Sequence, residues 1–174
     1  MKPGLDDSHH PVPGEHEHMP TNLDPIPPGR PQLNPYITVK GAAEAIEFYR
    51  NAFGATELSR FVDTGGRIGH AELQIGNSRI MLSDEYPEMG ILSPLSLGGS
   101  SVALHLYVAN VDTVARQAIA GGATVVRPVE TQFYGDRAGK LQDPFGHIWW
   151  IASHVEDVSH EEAHRRATAS FGAS

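Results

Sequence analysis

Two histidines and a glutamate have the types and spacing of a catalytic or metal-binding group. His70 and Glu72 lie two residues apart in a β-rich stretch, and His105 lies in a later one. Side chains two apart on a strand point to the same side of a sheet, and two histidines with one carboxylate form a set that iron, zinc or manganese accepts. Neutral histidines held by hydrogen bonds are the simpler interpretation. We therefore expect no cofactor, and a divalent metal stands as the alternative.

The composition excludes several function classes. The 174 residues include no cysteine, so disulfides, thiolate metal sites and cysteine nucleophiles are ruled out. The net charge is −8 and Lys and Arg form no basic run, which favours neutral or cationic ligands over nucleic acid. No apolar stretch approaches the roughly 18 residues of a membrane helix, and residues 1–30 lack the apolar centre of a signal peptide. We expect a cytoplasmic protein with neither a nucleic-acid nor a membrane partner.

Residues 1–33 are predicted to be a disordered tail rich in proline and histidine. Nine of the thirteen prolines lie in residues 1–35, and the segment has too few aliphatic residues to offset the entropy of ordering it. His16 and His18 flank Glu17 and could chelate a metal ion. Because the tail offers no rigid scaffold, a solvated leader is the simpler interpretation.

The rest of the chain repeats one order of elements, βαβββ. The first module is predicted as strand 35–40, a helix ending at Phe53, and strands 56–63, 68–75 and 79–84; the second as strand 102–108, helix 112–120 with Asp112 as N-cap, and strands 124–130, 137–142 and 147–153. The repeat shows in Gly54-Ala55-Thr56, which recurs as Gly122-Ala123-Thr124 after 68 residues. The same shift places Ile37 on His105 and Val39 on Tyr107.

This repeat predicts the fold class and the domain limits. Each module has one apolar sheet face, so two copies must cover each other, within a chain or across a dimer. We expect an α+β fold of two βαβββ modules whose curved mixed sheets surround a pocket. The domain would span residues 34–155, with modules 34–84 and 102–153. A C-terminal helix and tail occupy 156–174, where Ser159 and Glu162 have the spacing of a capping box.

Three stretches of the domain carry family motifs. They are 34–55, with Phe48-Tyr49 followed by Phe53-Gly54-Ala55; 68–73; and 135–149, with Asp143-Pro144-Phe145-Gly146-His147. In these the chain resembles the vicinal oxygen chelate superfamily of glyoxalases, bleomycin resistance proteins and extradiol dioxygenases. The nearer likeness is to its PhnB-like or bleomycin-resistance-like branch. The resemblance implies the glyoxalase fold, a small-molecule pocket and a homodimer.

The resemblance also bears on the metal. Metal-using members take their ligands from the first and last strands of each module, at places that correspond here to Asn34, Met81, Ala103 and Trp150. Methionine, alanine and tryptophan side chains do not hold a hard divalent cation. Bleomycin resistance members lack the metal and sequester the drug. The resemblance therefore implies a binder, and the metal alternative rests on His70, Glu72 and His105.

Strand alternation and the family's geometry together predict which residues line the pocket. The predicted ligand-binding residues are Tyr36, His70, Glu72, Met81, His105, Tyr107, Tyr134, Arg137 and Trp150. Adjacent Trp149 and Trp150 must face opposite ways, and Trp150 is predicted to face the pocket. Arg137 would lie at the pocket mouth, where it either clamps an anionic ligand or pairs with Asp136 or Asp143.

Three functions remain in competition. The leading hypothesis is a protein that binds a small organic molecule between the βαβββ modules, without a glyoxalase-type metal site. The alternative is a divalent-metal-dependent lyase, isomerase or dioxygenase of the same superfamily, in which the ion polarises a carbonyl or an enediolate. The third is a dimerisation module alone. Catalytic residues and the identity of the ligand stay unassigned.

Overall fold

A computed structural model of the chain describes residues 24–171, with side chains as far as residue 169. Residues 24–30 belong to a separate unit and form a short turn, in which the Arg30 amide donates to the Pro27 carbonyl at 3.2 Å. The predicted tail up to residue 23, including His16 and His18, lies outside the described residues. None of the described helices is long and apolar enough to cross a membrane.

The body of the protein follows the predicted order of elements. Its strands are β1 Tyr36–Val39, β2 Thr56–Val62, β3 Ile68–Ile75, β4 Ser78–Asp84, β5 Ala103–Tyr107, β6 Thr124–Thr131, β7 Asp136–Gln142 and β8 Ile148–His154. Its α-helices are α1 Ala42–Phe53, α2 Pro94–Leu97, α3 Val111–Ala120 and α4 His160–Phe171. Helix α2 and a 3₁₀ turn, Pro87–Met89, lie in the connection that the sequence indicated only as a loop.

The strands form two four-stranded mixed sheets. Sheet 1 has the order β1-β4-β3-β2 and sheet 2 the order β5-β8-β7-β6. In each sheet the first strand of the module pairs in parallel with the last, and the other pairs are antiparallel. The predicted α+β fold of two βαβββ modules is confirmed.

One face of each sheet packs against the helices. In sheet 1 this core side carries Leu73 and Leu82, and in sheet 2 it carries Trp149 and Ile151. Trp149 reaches Phe53 of α1, with ring centroids 4.6 Å apart. These residues and both long helices of the modules form one hydrophobic cluster. The other face of each sheet, which we call the open face, is turned away from that core.

Asp143 joins the two modules at the centre of this core. Its carboxylate accepts hydrogen bonds from the Tyr49 hydroxyl at 2.8 Å and from Trp149 Nε1 at 2.9 Å, and also from the amides of Phe145 and His147. A buried carboxylate is tolerated only when its oxygens are satisfied in this way. Burial, with Asp143 beside it, raises the pKa of Tyr49 well above its usual value. The Asp-Pro-Phe-Gly turn is thus a structural motif.

The spacing between the two modules is not the same along their whole length. It is 68 residues at the glycines but one residue longer at the helix starts. Helix α1 begins at Ala42 and α3 at Val111, so the offset there is one residue longer than between Gly54 and Gly122. Ile37 accordingly faces the core, whereas His105 lies on the open face. The predicted match of these two positions is wrong, because a shift of one residue reverses the face of every strand side chain.

Two helix starts test the capping predictions. Helix α3 is capped by Asn110, whose Oδ1 accepts the Thr113 amide at 2.9 Å, and not by Asp112 as predicted. Asn110 has the extended backbone that an N-cap requires, while Asp112 is already in the first turn. At α4, Ser159 Oγ accepts the Glu162 amide at 3.2 Å, as the capping pattern indicated.

Candidate functional site

The open face of sheet 1 carries four of the predicted residues. Register places Tyr36, Met81 and Glu72 in one row across β1, β4 and β3, and His70 lies one row away on β3. The Tyr36 hydroxyl lies 3.0 Å from His70 Nδ1 and 3.3 Å from the Gly69 carbonyl oxygen. The rings of Tyr36 and His70 are 5.5 Å apart. The contacts with Tyr36 hold the His70 imidazole in place.

Glu72 is the charged residue at the centre of this face. It is only 7% exposed, and Arg79 Nη1 donates to its Oε2 at 3.0 Å. His70 Nε2 lies 3.6 Å from Oε1, beyond a hydrogen bond. A cationic partner offsets part of the cost of burying such a carboxylate. Glu72 and Arg79 thus form a fixed ion pair at the floor of the face.

A cavity of about 420 Å³ opens on the same face, next to the Tyr36–His70 pair. Its walls include Tyr36, Ser83 and Tyr86, and Met89 and Ile91 close it from the connection after β4. The backbone pairing of Tyr86 with Ile91 holds that connection over the sheet. The mixture of aromatic, aliphatic and hydroxyl groups that line this cavity is typical of a small-molecule site.

The open face of sheet 2 carries His105, Tyr107 and Trp150. Register places His105, Trp150 and Lys140 in one row across β5, β8 and β7. The rings of His105 and Tyr107 are 4.8 Å apart. Lys140 Nζ lies 5.5 Å and Arg127 Cζ 5.8 Å from the Trp150 ring centroid. The charge beside Trp150 is therefore positive, although the chain as a whole is acidic.

A polar cluster at one end of this face was missed by the sequence analysis. Asp136 is buried and accepts the Tyr107 hydroxyl at 2.7 Å, and its Oδ1 lies 3.0 Å from His154 Nδ1. His154 Nε2 lies 2.8 Å from an Asp157 oxygen. Asp157 and then Asp136 raise the pKa of His154 by hydrogen bonding to its ring. Alternation from Trp150 would have reached His154, four residues later on the same strand.

The remaining predicted residues lie elsewhere. Arg137 is on the core side of β7 and donates to both Asp112 oxygens, at 2.7 and 2.8 Å. Its partner is thus neither Asp136 nor Asp143, because position 137 faces the start of α3. Tyr134 lies in the loop before β7 and is partly exposed; burial, then the nearby Asp136, raises its pKa.

Within one chain the structure divides the predicted set into two groups. Tyr36, His70, Glu72 and Met81 share the open face of sheet 1, while His105, Tyr107 and Trp150 share that of sheet 2. Helix α1 packs on sheet 1, α3 packs on sheet 2, and the two helices contact each other, so the core sides of both sheets share one hydrophobic cluster. The predicted single cavity is therefore not assembled by one copy of the chain.

The donor set does not fit the metal that some family members use. Met81 and Trp150 occupy open-face positions and supply no oxygen or imidazole ligand. His70 and Glu72 are near each other, but His105 belongs to the other sheet. In residues 24–169, no three His, Asp or Glu side chains are grouped in a way that could hold a metal ion.

The comparisons with known proteins agree with this fold. An uncharacterized protein of Mycobacterium tuberculosis strain H37Rv is 43% identical over 135 residues, which are 76% of this chain and 79% of the relative. The X-ray structure of an Arabidopsis thaliana gene product is 26% identical, with a TM-score of 0.58, over 70% of this chain and 98% of that one. The PhnB protein from Bacillus cereus is 19% identical, with a TM-score of 0.55, over 71% and 99%.

The family model points the same way. The model of the glyoxalase/bleomycin resistance protein/dioxygenase superfamily matches residues 32–151, which span both sheets and the helices between them. The motifs at 48–55 and 143–147 lie inside that range. This chain therefore belongs to the glyoxalase/bleomycin resistance protein/dioxygenase superfamily.

Proposed function

We propose that this protein binds a small aromatic molecule carrying oxygen groups, in a pocket between sheet 1 of one copy and sheet 2 of a second copy. The protein would act as a homodimer and without a glyoxalase-type metal site. The observation that carries the proposal is the direction of the two open faces. Each bears predicted ligand-binding residues, and each lies outside the core of its own chain.

Exposed aromatic rings support a partner on these faces. The exposed fractions are 51% for Tyr36, 66% for Phe61 and 61% for Tyr107. Covering apolar surface contributes about 25 cal/mol per Å², and an exposed apolar patch rimmed by polar groups is typical of an interaction site. A second copy that covers these rings would also enclose a cavity between them.

The edge strands support the same arrangement. In each sheet the first strand of the module lies at the edge, β1 in sheet 1 and β5 in sheet 2. An edge strand leaves backbone groups that a neighbouring chain can pair with or cover. In a two-fold dimer, β1 of each copy would adjoin β5 of the other. The open face of sheet 1 in each copy would then meet the open face of sheet 2 in the other, which forms two equivalent pockets.

The polar groups favour a ligand with oxygen acceptors. Lys140 and Arg127 lie beside the Trp150 ring, and His70 and His105 can each offer a ring N–H. The Trp150 ring supplies a flat surface for an aromatic ligand. Glu72 is already held by Arg79, so the local charge does not favour a cationic ligand.

A mixed-dimer experiment tests both the binding and the sharing of the pocket. Light scattering should first give twice the 18.8 kDa of one chain. A ligand is then identified by thermal shift with a library of aromatic carboxylates and phenols, because a ligand that binds only the folded state raises the melting midpoint. Tyr36→Ala and Trp150→Ala homodimers should both fail to bind this hit.

A heterodimer of the two variants distinguishes the arrangements. If each pocket uses sheet 1 of one copy and sheet 2 of the other, one pocket of the heterodimer is wholly wild type and binds one ligand per dimer. If each pocket belongs to one chain, no intact pocket remains. A heterodimer that binds nothing, or a chain that is monomeric at micromolar concentration, would refute the shared pocket.

Metal analysis separates this function from the alternative. Protein purified without chelator should contain far less than one equivalent of zinc, iron, nickel or manganese by plasma mass spectrometry. A near-stoichiometric metal that is lost in His70→Ala and in His105→Ala would favour the metal-dependent lyase, isomerase or dioxygenase instead.

A further inference from the structure

A cleft of about 340 Å³ lies beside helix α2, where the turn before β8 meets β1. Most of its walls are aliphatic side chains from β1, β5 and the connection after β4: Ile37, Leu92, Pro94, Leu97 and Leu104. Ile37 and Leu104 belong to the core side of their strands. The walls of this cleft therefore differ from those of the cavity on the open face of sheet 1.

Helix α2 is held in place beside this cleft. The Glu85 carboxylate accepts the Ser93 amide at 3.1 Å and the Ser93 and Ser96 hydroxyls at 2.7 Å each. The helix also packs on the Asp-Pro-Phe-Gly turn, where a Cβ added to Gly146 would lie 2.9 Å from Pro94. The wall that α2 supplies is thus fixed before any ligand binds, which lowers the entropic cost of binding.

His147 gives this aliphatic cleft a polar group. The residue is 8% exposed and lines the cleft, and its Nε2 lies 2.9 Å from the Thr38 carbonyl oxygen. A carbonyl oxygen only accepts hydrogen bonds, so Nε2 carries the proton, and Nδ1 of the neutral ring is an acceptor. Among the described residues Nδ1 has no hydrogen-bond partner, and it is not sealed off by other atoms. Its lone pair is therefore open to the cleft.

We propose that this cleft binds a small aliphatic alcohol. The hydroxyl would donate to Nδ1 of His147, and the aliphatic part would lie against Ile37 and Leu97, of which Leu97 is 65% exposed without a ligand. Covering such apolar surface is favourable. A single acceptor among aliphatic walls favours a ligand with one donor on an apolar body. Cyclohexanol has this chemistry and is the probe for the experiment.

Nitrogen-15 NMR of the full chain at neutral pH reports directly on the ring. The His147 signals should be those of a neutral imidazole with its proton on Nε2. Titration with cyclohexanol should shift the Nδ1 signal of His147 and the methyl signals of Leu97 along one saturable curve. Methoxycyclohexane has the same ring and no donor, and should bind about fivefold more weakly, the usual effect of one hydrogen bond. A doubly protonated ring, no saturable shift or equal affinities for the two probes would overturn the inference.

Two variants test the two parts of the cleft. His147→Phe keeps a ring of similar shape but has no acceptor, so cyclohexanol should bind it only as well as methoxycyclohexane does. Leu97→Ser removes part of the aliphatic wall and should weaken both probes to the same extent. Circular dichroism melts establish that each variant is folded. If His147→Phe is not, Leu97→Ser still decides, because unchanged affinities for both probes in that variant would contradict the proposed site.

The controls separate this site from the open face of sheet 1. Hydroxyl groups of that face also line the cleft, among them Tyr36 and Thr38. Tyr36→Phe and Thr38→Val should keep the preference for cyclohexanol within about twofold of the wild type, because neither change removes the imidazole acceptor. A preference lost in Tyr36→Phe and kept in His147→Phe would place the alcohol on the open face and overturn the inference. The shared pocket would still stand, since the heterodimer experiment tests it separately.

Discussion

Truncation of the two neighbouring tryptophans should separate stability from binding. Trp149 is 3% exposed, its Nε1 donates to Asp143 at 2.9 Å, and its ring packs 4.6 Å from Phe53 and 5.5 Å from Tyr49. Removing a buried aromatic side chain costs about 3–5 kcal/mol, and the lost hydrogen bond to Asp143 adds about 1 kcal/mol. Trp149→Ala should therefore lower the free energy of unfolding by about 4–6 kcal/mol.

Trp150→Ala should have a much smaller effect on folding. The Trp150 ring lies on the open face. The substitution removes its cation–π contacts with Lys140 and Arg127, which contribute about 0.5–1 kcal/mol each. We expect a loss of about 1–2 kcal/mol, together with loss of ligand binding. Trp149→Ala should keep the open faces chemically intact, so any fraction that stays folded should still bind.

Urea denaturation measures the difference, since the midpoint and slope give the free energy of unfolding of each variant. A gap of about 3 kcal/mol corresponds to melting midpoints roughly 10 °C apart in a chain of this size. If Trp150→Ala is as destabilising as Trp149→Ala, or if only Trp149→Ala loses binding, the faces assigned to β8 are reversed and the reasoning fails.

Two further predictions concern the C-terminal segment and its contacts. Asp157 and Asp136 raise the pKa of His154. The stability that these contacts contribute is therefore present below about pH 6.5 and is lost as the pH rises through the folded-state pKa. Between pH 6 and 9 the melting midpoint should fall more steeply for the wild type than for His154→Gln. Gly135→Ala should lower the free energy of unfolding by more than about 2 kcal/mol, because Gly135 has φ +99° and an added Cβ would overlap a backbone carbonyl of that segment. Gly76→Ala is the matched control, with φ +57° and open space, and should cost about 1 kcal/mol by the same urea assay.

Side-chain direction was the most predictable part of the site. Period-two alternation assigned Leu73 to one face of β3 and Glu72 to the other, and it separated Trp149 from Trp150. Such an assignment depends only on neighbouring residues in one strand. The strand limits were also within about two residues of those observed, because glycine-containing turns mark most of the ends.

Contacts between distant elements were not predictable in the same way. Arg137 pairs with Asp112, 25 residues away, and not with the acidic residues near it in sequence. Similarly, Asp136 meets His154 only because β7 and β8 are paired in one particular register. Strand spacing alone cannot give that register, since each of several registers would preserve the alternation.

The way the two modules pack together could not be predicted from the composition or from the polar and apolar pattern of the strands. Two module arrangements are compatible with the same pattern of apolar and polar faces. In the first, the two sheets lie side by side. In the second, the modules contact each other through their helices. What permits the second arrangement here is the small size of the residues on one side of α3 and at its end: Ala115 and Ala118 are buried, and a Cβ added to Gly121 would lie 3.0 Å from Phe48 of α1. The distance between two packed helices depends on the side chains at their contact, and small side chains allow a closer approach. The small residues of α3 and its C-cap, set against the aromatic side of α1, are therefore the sequence feature that fits the observed contact between the two helices.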